Sequence, residues 1–420
     1  MSKEKTNTSY TGLVDCNNFF VSCERLFRPD LAHKPVLVLS ANDGCVISRS
    51  KEVKELGIPM GVPHFEIREK VAKEGITIFS SNFALYRDIS SRVMSTVKCV
   101  APDAEVYSID EAFFTVAQAD AARMAHDIKQ RVEQWVGIPV SIGIGETKTI
   151  AKHMGAHAKT HGGVAITSPQ FQSELRDASL QEIWGVGRKT YEKLGCVGIR
   201  TVADVLAQGA MRMRTHLGIH GEQLFYELAG MAPVGVRKSV QHQSIMSSAS
   251  FGKKIQNVAE VEDALSYHIA HVAEKARHDG CVAHALSFSI RYEDADGALR
   301  YHNDQVSLVP GTADTRVLTK AVLSTVRPFF KPTFRYKKVG VVLSRLAPQG
   351  TATGSLFDDQ HSTDEAGSLM KIFDAINEKH GRGSVRIGTE QKTHAWKGKS
   401  VYVSKAYTTS WTSLPRVEVG

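Results

Sequence analysis

Cysteine is scarce, six residues in 420, and no two have the close spacing of a zinc or redox pair. Cys16, Cys23, Cys45, Cys99, Cys196 and Cys281 are therefore expected to be reduced thiols, mostly buried. No apolar run approaches the roughly 18 residues of a membrane span, and residues 1–11 are polar, without an apolar signal core. The expectation is a cytoplasmic chain with no membrane partner. Acidic residues are the minority charge, 44 Asp and Glu against 52 Lys and Arg, and the net charge of +8 with a pI near 9.0 favours a polyanionic partner. What is present, 42% hydrophobic and 23% charged residues, is the composition of a globular protein. The length exceeds one ordinary core, so about two to four domains are expected.

Two adjacent carboxylates interrupt Tyr107-Ser108-Ile109-Asp110-Glu111-Ala112-Phe113-Phe114, a run otherwise suited to a buried β-strand. A carboxylate taken out of water must be paired, hydrogen-bonded or metal-bound. Neighbouring strand residues point to opposite faces, so both acids can serve one site only if the strand breaks there, and a hairpin turn at Asp110-Glu111 is expected. The alternative is a pair of solvated turn acids. Upstream, Gly12-Leu13-Val14 reads as a strand ending at Asp15. Asn17 or Asn18 would cap a helix whose Phe19, Phe20, Cys23, Leu26 and Phe27 recur at helical spacing as far as Pro29. Asp15 thus lies where strand gives way to helix, as a site residue or as a capping acid.

Residues 35–40 and 45–48 read as strands around an Asn42-Asp43-Gly44 turn, and a basic helix with Arg49, Lys51 and Lys54 follows, stopped by Gly57. Its cations could hold phosphates or face solvent. This segment, to about residue 80, reads as an insertion. Leu85, Ile89, Val93 and Val97 mark a helix over 82–97; a helix over 119–136, a strand over 139–144 and a helix from Lys148 carrying Lys152 and Lys159 come after. The order β-α-(insert)-α-β-β-α-β-α is a ferredoxin-like layout with an interruption. In it Asp15, Asp110 and Glu111 can converge on one sheet edge, facing Lys152 and Lys159.

Trp184-Gly185-Val186-Gly187-Arg188-Lys189-Thr190, with Gly198-Ile199-Arg200-Thr201 downstream, has the form of a helix-hairpin-helix. Its glycines let a phosphate approach the backbone closely, N–H groups at the helix start bind it, and Arg188 and Lys189 add charge. Residues 231–250 are polar and read as an interdomain linker. A small α+β domain follows, with helices over 258–279 and 314–328 and strands over 283–292, 306–309 and 337–343. Its Lys253, Lys254, Arg291, Lys337, Lys338 and Arg345 either form a DNA-facing sheet or are scattered surface cations. Leu356-Phe357-Asp358-Asp359, after a Gly/Thr/Ala loop, reads as a docking peptide. From residue 371 the tail carries nine Lys and Arg against four Asp and Glu, interleaved with Trp396, Tyr402, Tyr407 and Trp411. It is either a basic, aromatic contact surface or a small folded module.

On these residues the chain resembles the Y-family translesion DNA polymerases, and within them the catalytic subunits of bacterial DNA polymerase V, the UmuC group. Val14-Asp15-Cys16-Asn17-Asn18-Phe19-Phe20 is similar to the family's first acidic motif and Tyr107-Ser108-Ile109-Asp110-Glu111-Ala112-Phe113 to its second. Gly44-Cys45-Val46-Ile47-Ser48-Arg49-Ser50, Phe79-Ser80-Ser81-Asn82 and Trp184-Gly185-Val186-Gly187-Arg188 add matches. The resemblance implies an α+β multidomain fold with a ferredoxin-like palm, small fingers, a helical helix-hairpin-helix thumb and an α+β little finger. The implied divisions are palm over 1–28 and 81–168, fingers over 29–80, thumb over 169–236, linker over 237–250, little finger over 251–347 and tail over 348–420.

It further implies template-directed nucleotidyl transfer from dNTPs to a primer 3′-OH, across damaged bases, in the SOS response. Asp15, Asp110 and Glu111 would be catalytic and, with the Cys16 carbonyl, would hold two Mg²⁺. Phe19, Phe20, Lys54 and Lys159 would bind the nucleotide, with Phe20 as steric gate against a ribose. Gly185, Gly187, Arg188, Lys189, Lys253, Lys254, Arg291 and Lys337 would bind primer-template DNA, and Leu356 and Phe357 the sliding clamp. A processed, dimeric accessory protein of the UmuD type and RecA are further implied partners. The chain departs from many relatives at Lys51 and Lys54, where they carry Tyr and Arg, and at Phe20, where Tyr is commoner. The competing reading is a non-catalytic DNA-binding scaffold, which would have no use for the three carboxylates.

Overall fold

The computed structural model describes residues 9–231, 243–349, 360–398 and 400–414, with 360–366 described by their backbone alone. The chain divides into two units, Met1–Val240 with Val401–Gly420, and Gln241–Ser400. In order, the first unit contains β1 (Ser9–Cys16), α1 (Phe19–Leu26), β2 (Val36–Leu39), β3 (Val46–Arg49), α2 (Lys51–Glu55), α3 (His64–Lys73), β4 (Thr77–Ser80) and α4 (Phe83–Val100). It continues with β5 (Glu105–Val106), β6 (Glu111–Ala117), α5 (Ala121–Trp135), β7 (Val140–Gly145), α6 (Lys148–Ala158) and β8 (Val164–Ile166). Helices α7 (Pro169–Asp177), α8 (Arg188–Gly195), α9 (Val202–Leu217) and α10 (Ile219–Leu228) complete it.

The main sheet has the order β5-β6-β1-β7-β8, so β1 lies at its centre, antiparallel to both β6 and β7. Its apolar residues pack against α1, α4 and α5 in one core that includes Val14, Phe19, Cys23, Ile89, Val93, Phe114, Ile128 and Ile142. Helix α6 lies closer to the sheet than a side chain allows. A Cβ added to Gly143 would stand 2.1 Å from the Gly155 backbone nitrogen and 2.2 Å from the Ala151 carbonyl oxygen. Thr147 caps α6 by accepting from the Ile150 amide, and the Glu227 carboxylate accepts from the buried Thr149 amide. An anion at the helix start complements its dipole. A second sheet, β3-β2-β4, packs one face into a small core of Leu37, Leu39, Val46, Val53, Ile58, Ile67 and Ile76, while its Val36, Val38 and Phe79 join the main core.

The second unit contains β9 (Ser244–Ile255), α11 (Val258–His278), β10 (Cys281–Glu293), β11 (Leu299–Thr312), α12 (Thr315–Phe329), β12 (Arg335–Pro348) and α13 (Gln360–His380). Its sheet, β11-β10-β12-β9, is antiparallel throughout and shares one core with α11 and α12. Residues 390–396 fold onto α11. Asp263, 1% exposed, accepts from the Gln391 amide, the Trp396 indole and His394 Nδ1. The tail is therefore partly a folded module, with Trp396 buried and Trp411 exposed.

Several expectations are corrected. The hairpin turn occupies residues 107–110, and Glu111 is the first residue of β6 rather than a turn residue. The predicted linker is strand from Ser244 onward; β9 is an edge strand with a mostly polar exposed face, so its serines read as loop. Strand β8 escaped notice because three residues carry too little periodicity. Of the six free cysteines only Cys16, Cys23 and Cys281 are buried, while Cys99 and Cys196 are exposed. The docking pair Leu356 and Phe357 lies outside the described residues.

Candidate active site

The antiparallel register of β1 and β6 sets Asp15 opposite Glu111, and the Cys16 amide donates to the Asp110 carbonyl at 2.9 Å. The turn that carries Asp110 is tied back by the Tyr107 and Ser108 amides, both donating to the Glu111 carbonyl. Asp15, Asp110 and Glu111 thus gather at one end of the central strand pair, where the strand leads into α1. Each carboxylate has its own partner. Asp15 accepts from Lys159 Nζ at 2.8 Å, Asp110 from Ser108 Oγ at 2.6 Å, and Glu111 accepts from Lys152 Nζ at 2.7 Å through both oxygens. Burial pushes the Glu111 carboxyl up; Lys152 opposes this, and the charges of Asp15 and Asp110 add to it.

Among the described residues, no group of three or more His, Cys, Asp or Glu closes on a common point as a metal cluster. Three like charges repel, and each here has turned to a separate cation or hydroxyl. The donor set nevertheless fits a hard divalent cation, because all three side chains offer carboxylate oxygen. The Cys16 thiol is no part of that set. Burial, reinforced by the three carboxylates, raises its pKa well above the usual thiol value, so it stays protonated and leaves its backbone carbonyl as the available ligand atom.

Cations stand beside the acids. Lys54, on α2, donates to Asn18 Oδ1 at 2.5 Å, and burial, Lys159 and Arg49 together lower its pKa. Asn18 starts α1 in the left-handed region (φ 48°) without capping it by its side chain, which serves Lys54 instead. Lys51 points away, 83% exposed and 3.9 Å from Glu55. Phe20 stacks on Tyr86 with centroids 4.5 Å apart and meets Phe83 edge-on. Tyr86 in turn donates to the buried Glu24 carboxylate at 2.6 Å. Phe19 differs from the expectation for a nucleotide contact: its ring is 3% exposed and belongs to the core, leaving only its backbone to face a ligand.

The Gly185-Val186-Gly187 loop joins a single 3-10 turn, Leu180–Glu182, to α8. Gly185 has φ 86°, a conformation that favours glycine, and a Cβ at either glycine would meet nothing within 4 Å. The loop is therefore open to close approach from outside, with Arg188 and Lys189 exposed at the start of α8. In the second unit Lys253, Lys254, Arg291, Lys337 and Lys338 line one cavity of about 430 Å³, whereas Arg345 does not join them. Lys254 and Lys337 both pair with Glu293 and hold its carboxyl down at about 2.

Arg49, grouped with Lys54 from the sequence, does lie near it, whereas sequence reasoning missed Tyr86 with Glu24 as the support of Phe20, and Trp184 as a packing partner of the carboxylate turn. Only Tyr86 left a trace, as an aromatic within the apolar face of α4.

Residues 14–156 match the impB/mucB/samB family, residues 242–356 the C-terminal domain of that family, and residues 367–417 a domain of unknown function. Protein UmuC of Salmonella typhimurium is 34% identical over 419 residues, covering 97% of this chain and 99% of the relative. Protein ImpB of the same organism is 33% identical over 422 residues, with 97% and 99% covered. Among solved structures, a Dbh-based Y-family DNA polymerase chimera superimposes with a TM-score of 0.68 at 19% identity, covering 81% of this chain and all of the chimera. Sequence identity sustained over nearly the whole length means that the chain belongs to the impB/mucB/samB family, that of UmuC, and it has the fold seen in a Y-family DNA polymerase.

Proposed function

We propose that this polymerase extends a primer 3′-OH with nucleotidyl units from dNTPs, opposite damaged template bases, during the SOS response. The observation that carries the reading is the register that opposes Asp15 to Glu111, with Asp110 held beside them and Lys54 and Lys159 adjacent. Asp15, Asp110, Glu111 and the Cys16 carbonyl would hold two Mg²⁺, which when bound stabilise the attacking and leaving oxygens of the transfer. Lys54, Lys159 and Arg49 bind the triphosphate. Phe20 packs under the incoming sugar and excludes a 2′-hydroxyl. The 185–187 loop with Arg188 and Lys189, and the groove of Lys253, Lys254, Arg291 and Lys337, grip the phosphates of primer-template DNA, a contact that weakens with salt.

Leu356 and Phe357 serve as the sliding-clamp anchor, and a processed accessory dimer of the UmuD type with RecA completes the working assembly. Asp110→Asn is expected to abolish incorporation in a single-turnover primer-extension assay run with those partners, while primer-template affinity measured without Mg²⁺ stays within about twofold, since the phosphate contacts lie elsewhere. Extension at the wild-type rate would remove Asp110 from the catalytic set. Loss of DNA binding in the absence of Mg²⁺ would make it structural.

A further inference from the structure

The carboxylate turn and the glycine loop meet in one aromatic cluster. Lys152 Nζ, bonded to both oxygens of Glu111, also lies 5.5 Å from the centroid of the Trp184 ring and 5.8 Å from that of Tyr107. Trp184 meets Tyr107 edge-on with centroids 5.5 Å apart and Phe113 at 6.0 Å. Tyr107 opens the turn that ends at Asp110, and its amide donates to the Glu111 carbonyl. Phe113 is fully buried in β6, two residues beyond Glu111. Trp184 itself is half-buried and directly precedes Gly185, the first residue of the loop. One side chain at the base of the loop thus touches both the cation that holds Glu111 and the turn that presents Asp110.

We propose that Trp184 is a positioning residue that couples occupancy of the 185–187 loop by a DNA backbone to the placement of Glu111 through Lys152. The claim rests on the reading of the loop as a DNA grip and of Glu111 as a metal ligand. An ammonium between a carboxylate and two aromatic faces is attracted to both. A shift of the indole therefore shifts the preferred position of Lys152, and with it the charge that Glu111 presents. Because coupling between two sites is reciprocal, DNA binding must alter the affinity for a divalent ion, and the ion must alter the affinity for DNA.

The test needs no turnover. Anisotropy of a labelled primer-template is titrated with the full chain, without dNTP, at constant ionic strength, with and without Mg²⁺. The part of the Mg²⁺ response that Asp110→Asn removes is the site-specific part, expected to be roughly fivefold or more in DNA affinity. Trp184→Leu should remove that part while DNA affinity without Mg²⁺ remains close to wild type. Trp184→Phe, which restores an aromatic face, should recover it. Lys152→Met, which leaves the loop packing in place, should abolish it as well, and carries the test if Trp184→Leu does not fold. A variant that weakens DNA binding equally with and without Mg²⁺, or that keeps the full response, overturns the coupling. If the wild type shows no response sensitive to Asp110→Asn, the metal reading fails first and the coupling falls with it.

Discussion

The proposed role of Phe20 as a sugar gate requires a ring that cannot yield. It is stacked on Tyr86, met edge-on by Phe83, and Tyr86 is anchored to a Glu24 that is completely buried. Phe20→Ala is expected to raise the ribonucleotide-to-deoxyribonucleotide incorporation ratio by about tenfold or more, the effect of some 1.4 kcal/mol of lost discrimination. Matched single-turnover assays with rNTP and dNTP decide it, and an unmoved ratio places the gate elsewhere. His268 makes a different kind of prediction. Burial holds its pKa at about 4, with one ring nitrogen bonded to Ser247 and the other buried without a partner. In the unfolded chain an unperturbed histidine titrates near 6.5, so below that pH the unfolded state binds the extra proton. Stability of the second unit should therefore fall as pH drops from about 6.5 to about 4, by up to roughly 3 kcal/mol. Urea unfolding across that range checks it, and His268→Gln should flatten the wild-type slope. Parallel slopes in the two proteins would contradict the assignment.

Helix α6 carries Lys152 and is capped at its C-terminus by Lys159, so its distance from the sheet sets where both ammonium groups reach. That distance depends on Gly143, whose added Cβ would collide with backbone that no rotamer change can move. Gly143→Ala is expected to destabilise the first unit by about 1–3 kcal/mol or more, and to slow extension by the folded fraction as the two lysines are displaced. Gly155 faces it across the same contact but has ordinary space, with Leu13 Cδ2 at 3.6 Å from an added Cβ. Gly155→Ala should be neutral or stabilising, because alanine favours the helix interior by up to about 1 kcal/mol. Urea midpoints of the two variants measure the contrast. Equal losses would show that the contact relaxes as a whole.

Across the whole molecule, residues 401–407 pack onto the first unit, to which they belong. The Ser80 amide donates to the Tyr402 carbonyl at 3.0 Å, the Tyr402 amide to Ser80 Oγ at 2.9 Å, and the Val401 amide to Asp43 at 2.8 Å. Asn82 donates to Ser404 Oγ, and Tyr407 stacks on Phe27 with centroids 4.7 Å apart. Strand β4 is an edge of its three-stranded sheet, and this segment covers it. An uncovered edge offers free backbone groups to other chains. Truncation after Ser400 should lower the thermal midpoint of the first unit by several degrees, at about 2–4 °C per kcal/mol for a unit of this size, and promote aggregation. Hydrogen exchange at the Ser80 amide reports it directly. Unchanged protection there would mean that the segment contributes nothing to that sheet.

Much that is local in this protein is legible from the residues alone, the short strand β8 and the polar edge strand β9 excepted. The paired acids inside an apolar run, the four-residue spacing of Leu85, Ile89, Val93 and Val97, and the glycines before Arg188 each declare an element within a short window, because helix period and turn chemistry are local properties. The order of those elements was enough to gather Asp15, Asp110 and Glu111 at one sheet edge, while the polymerase reading came from the resemblance of the two acidic motifs to those of a known family. What the tertiary structure alone decided are the pairings between distant segments. Lys159 meets Asp15, Lys152 meets Glu111, Tyr86 backs Phe20, and Phe19 turns into the core beside it. Strand β9 lies at a sheet edge with few apolar residues to mark it, and the tail divides between two units at Ser400. Such contacts depend on how whole faces pack, and a residue's composition and neighbours carry no record of the partner that packing brings to it.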